Sequence, residues 1–158
     1  MALSRHVILG LGAMAIATTA VFAGSHGASP EQKAVKARQA HMQLYSYNLG
    51  ILGAMAKGEM PYSADAAAGA AGDLAAMSML SQASYWLPGT NSTDIEGSNA
   101  LAAAWEMYPD IATKGQALAT AAMAMKEAAG SVEGIQGAIG AVGGACGACH
   151  KAYRKPAG

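Results

Sequence analysis

Close to its C-terminal end the chain reads Ile135-Gln136-Gly137-Ala138-Ile139-Gly140-Ala141-Val142-Gly143-Gly144-Ala145-Cys146-Gly147-Ala148-Cys149-His150-Lys151-Ala152-Tyr153. Ile135, Ile139, Val142, Cys146, Cys149 and Tyr153 recur at alternating steps of four and three, the apolar stripe of a helix packed against other helices. Cys146 and Cys149 therefore share one face. The pentapeptide Cys146–His150 has the C-x-x-C-H spacing at which two thiols add across the vinyl groups of one haem, and the histidine that follows lies under the iron as proximal ligand. No other cysteine exists in the chain, so attachment leaves none for a disulfide or a thiolate zinc site. A redox C-x-x-C pair would sit beside a βαβ pattern, and zinc would need two further ligands where the other histidines are scattered. The stretch predicts one covalent haem c per chain, held by Cys146 and Cys149 with His150 on iron, on a helix whose attachment face is turned into a bundle.

Upstream, three more helical segments can be read. Ser29-Pro30-Glu31-Gln32 combines a serine cap, proline at the first helical position and the glutamine of a capping box. The helix it opens runs to about Lys57 and stops at Gly58, with Pro61 beyond. A second starts after Ser63 and reaches about Ser81. A loop with Trp86, Pro88, Gly89, Asn91 and a Thr93–Glu96 capping box follows. The third covers about 99–129, with Pro109 expected to kink it or to split off a short first piece. Gly130 ends it, Ser131 caps the fourth, and Pro156 follows the last turn. Short connections at 58–63 and 130–131 favour antiparallel neighbours. The fold expected is all-α, an antiparallel up-down four-helix bundle with covalent haem in its core.

The first helix carries its own stripe: Val35, Arg38, Met42, Tyr45, Leu49, Leu52 and Ala56. An arginine on an apolar face needs a partner, because an unpaired buried charge is costly. A haem propionate would fit, through a bidentate guanidinium contact. His41, about 100° round the helix from Met42, is expected in solvent. The glycines at 134, 137, 140, 143, 144 and 147 each cost the last helix about 1 kcal/mol relative to alanine. Close approach of a flat macrocycle and of neighbouring helices would compensate. Trp86, Trp105 and the tyrosines at 45, 47, 85, 108 and 153 read as core or haem-wall aromatics.

At the other end, Arg5 and His6 precede an uncharged run from Val7 to Ala23 closing in Val21-Phe22-Ala23, the order of a secretory signal peptide. It is short and rich in small residues for a membrane span. Residues 1–23 are read as the signal and 24–158 as one bundle domain. Loss of Arg5 turns ten basic against ten acidic residues into nine against ten. With so balanced a charge and no basic run, nucleic acid and anionic membranes are poor partners. Nothing resembles a Ser-His-Asp triad, paired catalytic carboxylates or a phosphate-cradling loop, so the chain reads as a non-enzyme.

On these residues the chain resembles the class II c-type cytochromes, cytochrome c′ and its low-spin relatives, over essentially the whole length after the signal. Val35-Lys36-Ala37-Arg38-Gln39 is similar to the family's Arg-Gln pair near the haem propionates. The stretch from Leu52 to Glu59 with Pro61-Tyr62 is similar to its first interhelix turn. Cys146–His150 with Lys151-Ala152-Tyr153-Arg154 is similar to its haem helix, where an arginine four residues after the ligand lies near the imidazole. Ala102-Ala103-Ala104-Trp105 departs from the pattern, which leaves contacts from that loop open. The resemblance implies a periplasmic protein, since haem is joined to thiols outside the cytoplasm in bacteria. It also implies a monomer or homodimer without stable membrane insertion.

Met42, one turn after Arg38, takes the position that the resemblance places over the open side of the haem. There a methionine either donates its sulfur as sixth ligand, giving a His150/Met42 site for one-electron transfer with periplasmic redox partners, or blocks the iron without bonding. A methionine is also an ordinary packing residue. The stretch 52–62, closer to the low-spin members, leads to the expectation of an electron carrier. The alternative is a high-spin, five-coordinate haem that binds NO or CO.

Overall fold

A computed structural model describes residues 27–156. The expected signal peptide, and the boundary after it, lie outside the described residues. Within them the chain forms α1 (Pro30–Lys57), α2 (Ala64–Ser78), a 3-10 turn (Ala83–Tyr85), α3 (Ala103–Glu106), α4 (Tyr108–Ala128) and α5 (Val132–Tyr153). The four long helices make the expected all-α bundle.

Local chemistry sets the helix ends. Ser29 Oγ accepts from the Gln32 amide at 3.2 Å, and Gln32 Oε1 accepts from the Ser29 amide at 3.0 Å, the reciprocal pair of a capping box. Gly58 ends α1 in the left-handed conformation at φ 74°, which glycine adopts without strain. Ser63 and Ser131 cap α2 and α5. Pro109 splits the third expected helix: it occupies the first turn of α4, where no amide donor is needed, and α3 is the detached piece. Two expectations fail here. Helix α2 stops at Ser78, three residues early. The Thr93–Glu96 capping box does not form, because Asn91 Oδ1 takes the Thr93 and Asp94 amides in a side-chain turn of its own.

Leu52, Met55, Leu74, Met125, Ile135 and Val142 fill the centre where α1, α2, α4 and α5 meet. Alanines 67, 70, 71, 75, 121 and 122 are buried around them and let the helices lie close. The Tyr62 hydroxyl donates to the Ala129 carbonyl at 3.0 Å, joining two turns at one end of the bundle. At the other end lie the start of α1, the long connection between α2 and α4, and the end of α5. Leu101 N donates to Tyr153 O at 2.9 Å and Lys155 N to Asn99 O at 2.8 Å, so that connection is stitched to the segment after the haem motif. No described helix is long and apolar enough to cross a membrane.

Candidate haem-attachment site

On α5 the expected stripe holds: Ile135, Val142 and Tyr153 are buried, and Ile139, Cys146 and Cys149 are half-buried. Burial pushes both thiols above their ordinary pKa; at Cys149, Lys114 opposes the shift. The His150 ring reaches the surface, and burial together with the Arg154 charge holds its pKa down. A neutral imidazole is the form a metal takes. The Tyr153 hydroxyl, one turn on, donates to Asp110 Oδ2 at 2.5 Å, and Lys114 lies 3.4 Å from the same carboxylate. That hydrogen bond lowers the Asp110 pKa and pushes Tyr153 up to about 12.

Helix α1 runs antiparallel to this segment, and two contacts give the register. Gln136 Nε2 donates to Ala56 O at 2.8 Å, and the Cβ direction of Gly53 points at Ile139 Cδ1, 3.7 Å away. Each step along α5 therefore matches one step back along α1. Continued, this sets Cys146 level with Tyr45–Ser46 and His150 level with Met42. Tyr45 belongs to the buried cluster that Cys146 borders, which agrees with that level.

The buried stripe of α1 is turned from the expected one. It runs through Ala34, Arg38, His41, Tyr45, Asn48, Leu52 and Met55, with Val35, from the expected stripe, buried as well. Met42 is 38% exposed, and Leu49 and Ala56 are half-buried. The cause is α2 and the 3-10 turn, which pack on the His41 side and draw the stripe about one position round. Met42, Leu49, Gly53 and Ala56 become the flank that faces α5. His41 is corrected from a solvated residue to a buried one, 7% exposed, with its ring 4.6 Å from Tyr45 and 6.1 Å from Tyr85. Burial lowers its pKa, partly offset by the nearby Met77 backbone.

Arg38 is 6% exposed, and its burial is met by neutral groups. Nη1 donates to Tyr85 O at 2.6 Å and to Thr90 Oγ1 at 2.7 Å; Nη2 donates to Thr90 O at 2.7 Å and to Ser98 Oγ at 3.3 Å. The guanidinium carbon lies 4.9 Å from the Trp86 ring and 5.5 Å from Trp105, a cation between two π faces. Gln39 Nε2 donates to Gly97 O at 2.7 Å. Both residues therefore grip the connection between α2 and α4. No described carboxylate pairs with Arg38, so its charge keeps no formal counter-ion. Sequence reasoning missed Thr90 and Ser98, since loop residues carry no periodicity to mark them as buried. Tyr47 and Tyr108 are corrected from wall aromatics to surface residues.

The residues fit a covalent haem. The two thiols share one half-buried face, the neutral imidazole follows, and a thioether stands level with it on α1. A Cβ built on Gly137, Gly140, Gly143, Gly144 or Gly147 meets nothing within 4 Å. Neighbouring helices therefore do not require these glycines, contrary to half of the sequence expectation; they leave α5 bare around Cys146. Only Gly134 is crowded, by the Ala128 carbonyl.

The chain is similar in sequence and in fold to known cytochromes. A sequence profile described as Cytochrome C' matches residues 33–154. Cytochrome c-554 of Cereibacter sphaeroides is 38% identical over 125 residues, 78% of this chain and 94% of that one. The structure of a cytochrome c' from Rhodobacter Spheriodes superposes with a TM-score of 0.78 at 37% identity, covering 82% of this chain and 100% of the other. A nitric oxide complex of a cytochrome c prime variant from Alcaligenes xylosoxidans superposes at 0.70 with 33% identity, over 82% and 98% of the two chains.

Proposed function

The chain belongs to the cytochrome c′ family, whose members carry a covalently attached haem c, and on that premise we propose that it is a periplasmic haem protein that binds a small diatomic such as NO or CO. The haem supplies an iron that can take a diatomic ligand or exchange one electron. Cys146 and Cys149 would hold it covalently, and His150 would ligate it from α5. Arg38 and Gln39 stand at the same end of the bundle, and a propionate is the anion that suits the uncompensated Arg38 charge.

One observation carries the proposal: a solved relative, 33% identical over 82% of this chain, is a nitric oxide complex, and the register sets Met42 level with His150, where such a ligand would sit. A long, flexible thioether is suited to covering an iron and swinging aside. A small molecule would then need only a rotamer change of Met42. The test is titration of the reduced holoprotein with CO and NO. Saturable uptake at neutral pH is expected, faster in Met42→Ala; no uptake by the wild type would overturn the proposal.

A second reading rests on the same level. If the Met42 sulfur bonds the iron, the site is the His/Met pair of an electron carrier, and export would place its donors and acceptors in the periplasm. The spin state of the oxidised protein separates the two readings.

A further inference from the structure

Two side-chain atoms among the described residues are buried and lack any hydrogen-bond partner: His41 Nε2 and the Tyr45 hydroxyl. Their residues are 7% and 6% exposed, and their rings lie 4.6 Å apart. A buried polar atom without a partner costs about 1–3 kcal/mol, so two on neighbouring rings need a physical reason. Position supplies one. Tyr45 is three residues from Met42, about 4.5 Å along the helix axis, and packs in the cluster that Cys146 borders. It stands between the α2 side of α1, where His41 is held, and the α5 flank that carries Met42.

We propose that the Tyr45 hydroxyl, braced by the His41 ring, is the hydrogen-bond donor for a diatomic ligand held at the haem beside Met42. The inference rests on the gas-binding reading and adds its polar recognition element. Met42, Leu49 and Gly53 offer an approaching ligand only apolar or weakly accepting surface, and Tyr45 adds one O–H group. A phenol donates one proton and rotates to suit, so it can turn to a bound ligand without moving the backbone. His41 cannot take over, because its ring faces Tyr85 and the Met77 backbone on the α2 side. Its part is positioning: it fixes the Tyr45 ring by contact. The desolvation that pushes Tyr45 up to about 12 keeps the phenol protonated, hence a donor, at every physiological pH.

The experiment is vibrational spectroscopy of the reduced holoprotein under CO, in H₂O and D₂O, for the wild type and Tyr45→Phe. A hydrogen bond from Tyr45 predicts a C–O stretch that moves on deuteration. In Tyr45→Phe the stretch should rise in frequency and lose the isotope shift, and NO release should speed by roughly fivefold, the loss of one ordinary hydrogen bond. His41→Leu, which keeps the phenol but removes its brace, should broaden the band. Identical, isotope-insensitive bands in wild type and Tyr45→Phe would overturn the inference while leaving gas binding intact. A wild type that takes up no CO would overturn both.

Discussion

At Arg38 a single side chain carries two demands that the sequence presented as one. Its place on an apolar stripe signalled a need for a partner, and the residue is indeed buried. The partners are Tyr85 O, Thr90 and Ser98, with Trp86 and Trp105 on its faces. They were not legible because they come from a connection without periodicity, more than forty residues downstream. Arg38→Leu is expected to strand these acceptors in a buried setting and to cost roughly 2–4 kcal/mol, measured as a lower urea midpoint. Arg38→Lys should recover only part of this, since an ammonium cannot match the guanidinium fork. The Tyr153–Asp110 pair makes a second prediction at this scale. The folded pKa of Asp110 is lowered, so its stabilising bond is present above the ordinary carboxylate range, near 4, and is lost as pH falls through the lowered value. Tyr153→Phe should therefore lower the urea midpoint at pH 7, and the gap from wild type should close on acidification. A gap that stays constant to the acid limit would refute the link.

Among the elements, helix ends were the most legible part, because caps are local: Ser29 with Gln32, Gly58, Ser63 and Ser131 act within a few residues. The Asn91 turn was missed because its side chain competed with the expected Thr93 cap, a contest that composition does not decide. Rotation of α1 was also hidden. Its apolar positions allow two stripes one residue apart, and only packing by α2 and the 3-10 turn selects the one through His41. For α5, the attachment motif and stripe were plain, whereas the purpose of its glycines was not. Gly137→Ala should stabilise the helix by about 1 kcal/mol, since the added methyl meets open space. Gly134→Ala should do the reverse, because that methyl meets the Ala128 carbonyl. Thermal melts of the two variants check the pair; equal shifts would mean that the α4–α5 turn relaxes freely.

For the whole molecule, the bundle brings four parts of the chain to one end: the start of α1, the connection around Thr90, the start of α4 and the haem motif of α5. This convergence was foreseeable from antiparallel helices alone. The place of Met42 over the iron came only from the family resemblance, and a helix stripe does not tell a removable cover from a bonded sulfur. The most direct measurement is the electron paramagnetic resonance spectrum of the oxidised holoprotein at neutral pH, recorded for wild type and Met42→Ala. A high-spin signal in both, little changed by the substitution, is the result predicted for a five-coordinate haem under a methionine cover. A low-spin wild type that becomes high spin only in Met42→Ala would contradict it and identify Met42 as the sixth ligand of an electron carrier.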